Sequence, residues 1–169
     1  MKQREWSGFH AGLALHSIAL PIYLAIAAGS LLGCAAKGEA FKPAEQVPGM
    51  SLIYFFRTQS VAASGMDEHI YLDAKKIAQL SPGGYYATSI PPGEHTVASQ
   101  MLVSMFNWQE ISAKLVAVAD RKNYVRVGTG ITFSTGFYTE MTRRIEILEE
   151  ETALPLLETM KLQQQSTGQ

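Results

Sequence analysis

Cysteine is nearly absent: Cys34 is the only one in the chain. A single cysteine cannot close an internal disulfide, and it excludes Cys-rich zinc sites and CxxC redox chemistry. An excess of either charge is missing too, since 14 Lys and Arg face 15 Asp and Glu for a net charge of -1. Nucleic-acid affinity rests on clustered cations that neutralise phosphates, so this balance argues against a DNA or RNA partner. Charge of both signs is missing from one long stretch, for no Asp, Glu, Lys or Arg stands between Glu5 and Lys37. What remains is a chain of 169 residues, enough for one ordinary domain with a real core.

The uncharged stretch explains much of the apolar surplus. Lys2 and Arg4 are the only early cations, Ile18 to Leu32 is almost wholly apolar, and the run ends in Leu31-Leu32-Gly33-Cys34. A basic start, an apolar run and a small residue before a cut site make a secretory leader. Leu-Leu-Gly-Cys at that place resembles a bacterial lipobox, the signal for thioether attachment of diacylglycerol to the cysteine and cleavage just before it. Two other readings stand beside it: a retained transmembrane anchor, since about 20 apolar residues span a bilayer, and a small buried thiol. Pro21, Gly29, Ser30 and Gly33 weaken a spanning helix, and the polar segment after Cys34 is no setting for a core residue. The stretch before the apolar core is long and holds His10 and His16, so Met1 is expected to lie upstream of the true start.

Cleavage leaves Cys34–Gln169, with 12 Lys and Arg, 14 Asp and Glu and no free thiol. Each buried acyl CH2 adds about 0.8 kcal/mol, so a diacylated and N-acylated cysteine anchors stably. Residues 34–50 contain Gly38, Pro43, Pro48 and Gly49 and show no period, which reads as a lipidated N-terminus followed by a flexible tether. Ala35, in place of Asp, resembles the outer-membrane sorting choice of enterobacteria. The expected location is the bacterial envelope, facing the periplasm or the cell surface, with the outer membrane ahead of the inner.

From Ser51 the signals are short strands divided by turns. Ser51 to Arg57 is apolar at successive positions, as a central strand is. Glu68 to Leu72 and Lys76 to Leu80 flank Asp73-Ala74-Lys75 as a hairpin, and Ser81-Pro82-Gly83-Gly84 is a turn by composition. Tyr85 to Ile90, His95 to Val103, Gln109 to Val118, Tyr124 to Gly128, Thr129 to Phe133 and Arg143 to Leu148 follow as strands. Ser104 to Trp108 reads as a loop, and Gly128 and Gly130 as a bend or bulge. Ala153, Leu156, Leu157 and Met160 then recur at helical spacing, with Thr152 as N-cap and Glu149 to Glu151 as capping charge. The expected fold is mainly β: a small antiparallel β-sandwich of immunoglobulin or transthyretin kind over 51–162, a short C-terminal α-helix, and a disordered tail at 163–169.

Several segments in order carry a family resemblance: Tyr71-Leu72-Asp73-Ala74-Lys75-Lys76-Ile77-Ala78-Gln79-Leu80, Gly83-Gly84-Tyr85, Pro91-Pro92-Gly93-Glu94-His95-Thr96-Val97 and Asn123-Tyr124-Val125-Arg126-Val127-Gly128. Together they resemble the bacterial lipoproteins with domain of unknown function 2846. The Pro-Pro-Gly-Glu-His-Thr-Val piece is also similar to the PEGA repeat domains of surface proteins. The family usually carries Asp-Gly where this hairpin has Asp73-Ala74. The resemblance implies a small β-sandwich on a lipid anchor and brings no catalytic residues.

The residues themselves offer little chemistry. Past the leader only His69 and His95 remain, and His95 in its turn is suited to holding backbone. Asp67-Glu68-His69 lacks a third metal ligand at a useful spacing, and neither Ser64-Gly65 nor Ser134-Thr135-Gly136 sits in a nucleophile elbow. No catalytic residue, metal or cofactor is therefore expected. Two segments place aromatics beside small or polar residues, and Phe106, Trp108, Phe137 and Tyr138 are the candidate contacts to a partner or ligand. Rings capping the open ends of the core are the bland reading of the same four. The expectation is an interaction module with an envelope protein partner, or alternatively a binder of a small ligand or glycan.

Overall fold

The computed structural model describes residues 36–59, 65–104, 107–133 and 139–163. The chain divides into two units, Met1–Gly33 and Cys34–Gln169, and every described residue lies in the second. In chain order these residues form β1 (Ser51–Phe56), β2 (Glu68–Leu72), β3 (Lys75–Leu80), β4 (Gly84–Ile90), β5 (Gly93–Ser104), β6 (Asn107–Ala117), β7 (Lys122–Phe133), β8 (Thr139–Leu148), α1 (Glu150–Leu157) and β9 (Lys161–Leu162). They build a β-sandwich from a five-stranded sheet, ordered β8-β7-β1-β4-β9, and a four-stranded sheet, ordered β3-β2-β5-β6.

The apolar run of β1 is explained by three layers. Successive side chains of a strand point to opposite faces. Ile53 and Phe55 therefore enter the core between the sheets, with Ile70, Leu80, Val97, Leu115 and Val125. Leu52, Tyr54 and Phe56 enter a second core on the outer face of the five-stranded sheet, closed by Ala153, Leu157 and Met160. Each such fully buried side chain contributes about 1.5–3 kcal/mol.

The sheet is mixed where an antiparallel one was expected. β1 runs parallel to β7 from Leu52↔Lys122 to Phe56↔Arg126, and β9 runs parallel to β4. The cause lies in how the chain enters β7: Asp120 N–H donates to Met50 O at 2.9 Å and Gly49 N–H to Asp120 Oδ1 at 2.8 Å, so both strands start from one clamped end. Gly128 and Gly130 make no bulge, because the β7–β8 register runs unbroken from Tyr124↔Leu148 to Phe133↔Thr139. The helix begins ahead of the expected cap: Glu149 is the N-cap and Thr152 lies within α1, which puts Glu150 and Glu151 in the first turn where the dipole favours them.

The β2–β3 turn shows what Asp73-Ala74 does. Both residues take positive φ, 48° and 65°, the conformation of a two-residue type I′ hairpin. A left-handed φ costs a residue with a Cβ about 1–2 kcal/mol, part of which glycine returns as unfolded-state entropy. Ala74→Gly is thus expected to stabilise the domain by about 0.5–1 kcal/mol, read from the shift in denaturant midpoint.

Asp73 is held by a second contact. Its Oδ1 accepts from Thr96 N–H at 2.9 Å, and its Oδ2 lies 2.6 Å from His95 Nδ1, whose Nε2 is 3.0 Å from Pro91 O. Carboxylate and carbonyl both accept, so the ring satisfies both only as imidazolium, and the Asp73 hydrogen bond raises the His95 pKa. Stability from a raised histidine is complete below its ordinary value of 6.5 and is lost as pH climbs through the folded value. Asp73, lowered by the Thr96 hydrogen bond and then by His95, adds stability above 3.8 that is lost on acidification. His69 is shifted the opposite way, downward, first by burial, so it acts below 6.5 and not above. The melting temperature should therefore fall as pH rises past 6.5, and His95→Asn should flatten that fall. An unchanged slope in the variant would refute the clamp.

The segment read as a tether is laid on the sandwich instead. Ala36 N–H donates to Pro82 O at 3.0 Å, Phe41 N–H to Met160 O at 3.1 Å and Ala44 N–H to Tyr54 Oη at 2.9 Å. The Phe41 ring sits 5.2 Å from Tyr85 and 5.9 Å from Tyr54. Gly38 permits the approach, since a Cβ there would fall 2.0 Å from Leu162 O. Gln163, expected as the first residue of a free tail, donates from its backbone to Tyr85 O at 2.8 Å and from Nε2 to Lys37 O at 2.9 Å.

Candidate functional site

The space between the sheets changes character along its length. At one end it is filled by aliphatic side chains; at the other, strand alternation turns Arg57, Glu68, Ser99, Thr129 and Arg143 inward. Glu68 opens β2 on the same face as Ile70, and Arg143 shares the inward face of β8 with Ile145. The two side chains are 0% exposed and form an ion pair. Glu68 Oε2 accepts from Arg143 Nη2 and from the Ser99 hydroxyl, and Oε1 accepts from Thr129 Oγ1 at 3.2 Å. Arg143 also donates to Ser99 Oγ at 2.9 Å and to Gln109 O, while its Nε is buried with no hydrogen-bond partner among the described residues.

Arg57 adds a second cation to this end. It donates to Met66 O and, at 3.3 Å, to Leu80 O. Burial lowers its pKa most, Glu68 and Asp67 oppose that, and Arg143 reinforces it. The Glu68 carboxylate is occupied by its donors, and Ser99, itself buried, already donates to it. The cluster therefore locks β2, β5 and β7–β8 together at this end and supplies no nucleophile to solvent. Asp67-Glu68-His69 is not a common site, because Glu68 points inward and His69 outward.

That outward face is open among the described residues. The five-stranded sheet has its outer face covered by α1 and residues 39–44, whereas no described element covers the four-stranded sheet. On it Trp108 is 49% exposed, with its ring 5.0 Å from the His69 imidazole at 31°. Its cross-strand partner Leu102 is 36% exposed, and Val116 near the other end of β6 is 62% exposed. Gln100 and Glu110, hydrogen-bonded to each other, form the next pair along the same face.

Of the residues singled out in the sequence, Cys34, Phe106, Phe137 and Tyr138 lie outside the described residues. Trp108 is described, and it stands on β6 paired with Leu102, not in a loop, because β5 and β6 run on to Ser104 and Asn107. Tyr85 is buried, its hydroxyl accepting from Lys42 N–H at 3.2 Å, beside a shallow cleft of about 320 Å³ that Lys42, Pro43 and Leu162 also line. The residues that sequence reasoning passed over are Arg57, Glu68 and Arg143. Their signal was strand parity, since each falls on the inward alternation of its strand. Among the described residues no helix is long and apolar enough to cross a membrane. No family model, curated protein or solved structure matches the chain.

Proposed function

We propose that this protein is a lipid-anchored component of the bacterial cell envelope, held to the membrane through lipid on Cys34, whose sandwich is a non-catalytic interaction module for an envelope protein. The observation that carries the reading is the asymmetry of the two outer faces: α1 and residues 39–44 pack on one, whereas no described element packs on the other, where Trp108, Leu102 and Val116 are exposed. Contiguous exposed apolar side chains mark contact sites, and Trp108 and Leu102 are direct cross-strand neighbours. The leader and the Leu31-Leu32-Gly33-Cys34 motif support the anchor.

Mass spectrometry of the membrane-extracted protein tests the anchor. A chain starting at Cys34 with a diacylglyceryl thioether is the expected product; an intact Met1 or an unmodified Cys34 removes the reading. Photo-crosslinking from Val116 in intact cells tests the module. One reproducible envelope partner is expected, and none across several crosslinker lengths would count against it.

A further inference from the structure

Ala36, the first described residue, and Trp108 belong to the same end of the sandwich. Ala36 is bonded to Pro82, and the turn at Pro82 is bonded to the end of β1, with Gly83 N–H on Arg57 O and Arg57 N–H on Gly84 O, both at 2.9 Å. Arg57, Glu68 and Arg143 mark that end in both sheets, and Arg143 reaches across to Gln109 O, the neighbour of Trp108. From there two hairpins project. β7 continues from Arg126, its last partner on β1, to Phe133, and β5 and β6 continue past Met101, the last residue paired to β2.

Chain length sets how near the membrane must be. Two residues from the fixed Ala36 back to Cys34 span at most roughly 7 Å. The seven residues of β7 beyond Arg126 extend about 23 Å at 3.3 Å per residue. The projection exceeds the leash. The outgoing strands suit such a place: no Asp, Glu, Lys or Arg occurs between Glu94 and Glu110 or between Arg126 and Glu140, and the charges of the second hairpin, Glu140, Arg143 and Arg144, stand on its return strand. Tryptophan is the side chain most at home at the headgroup boundary, with an apolar body and a polar N–H.

We propose that the Trp108 and Leu102 end of the four-stranded sheet rests on the bilayer in which the Cys34 lipid is embedded, an inference that rests on the lipid-anchor reading above. The bilayer then takes this end of the open face. Val116, eight residues along β6, is left for the protein partner.

The mature chain is suited to a direct test, since of the two tryptophans in the sequence Trp6 lies within the leader and only Trp108 remains after cleavage. The full-length lipoprotein, purified in detergent and shown by mass spectrometry to begin at acylated Cys34, is reconstituted into vesicles with and without brominated phosphatidylcholine. Brominated lipid should quench most of the Trp108 emission. A tryptophan moved to the far end, Val116→Trp in a Trp108→Phe background, should keep its emission. Unquenched Trp108 in acylated protein overturns the orientation while the anchor stands, and equal quenching at both positions overturns it in favour of a sandwich lying flat. An unmodified Cys34 in the mass spectrum is a failure of the anchor itself.

Discussion

Glu68→Gln is expected to cost about 3–5 kcal/mol of folding stability, more than any surface change, because it leaves two arginines buried beside each other without their shared anion. Glu68 accepts from Arg143, Ser99 and Thr129, and it is the leading charge that opposes the lowering of the Arg57 pKa by burial. Arg143→Met should cost less, since Glu68 then still faces Arg57 and keeps both hydroxyl donors. The order of the two losses is the discriminating result. Replacing both members together, as Glu68→Leu with Arg143→Met, should cost less than the sum, because a whole buried pair exchanged for apolar groups of similar volume is often close to neutral. Urea unfolding of the unsubstituted protein, Glu68→Leu, Arg143→Met and the double variant reads the cycle. Strict additivity would show that the charges act independently and that the cluster does not lock this end of the sandwich, and equal single losses would remove the part given to Arg57.

Much of the sandwich could be read from the chain, because its signals are local. Ser51 to Phe56 has apolar residues at both parities, and only a strand buried on both faces uses them. Pro82-Gly83 sets a turn whose geometry any sequence neighbour would accept, with Gly83 at φ 78°. The misreadings share a different cause. Parallel pairing of β1 with β7 depends on Met50 and Asp120, residues far apart in the chain. The strap from Ala36 to Ala44 has no period of its own, since its order comes from Tyr54, Tyr85 and Met160 in other elements. Glu68 and Arg143 are 75 residues apart and share no motif; strand parity turns both inward, where each needs the other. Cys34 stands apart from these, for its chemistry is written in the motif that precedes it and not in the fold.

Phe41→Ala tests the strap on which the membrane geometry depends. Its ring is wedged against Tyr54 and Tyr85, and the backbone on either side is tied through Ala40↔Lys161, Phe41 N–H on Met160 O and Ala44 N–H on Tyr54 Oη. Removing a partly buried phenylalanine costs about 3 kcal/mol, the lower end of the range for core rings. That loss falls on the strap first, because the remaining contacts of residues 36–44 are a few hydrogen bonds worth about 1 kcal/mol each. Limited proteolysis should then cut within 36–50 while the sandwich from Ser51 onward survives. In vesicles the same variant has its leash restored, with the whole segment from Cys34 to Met50 free to extend roughly 50 Å. Quenching of Trp108 by brominated lipid should fall accordingly. A strap that stays protease-resistant in Phe41→Ala would mean its hydrogen bonds suffice without the ring; full quenching with the strap freed but uncut would mean that the hairpins hold the bilayer by themselves, with the short leash adding nothing.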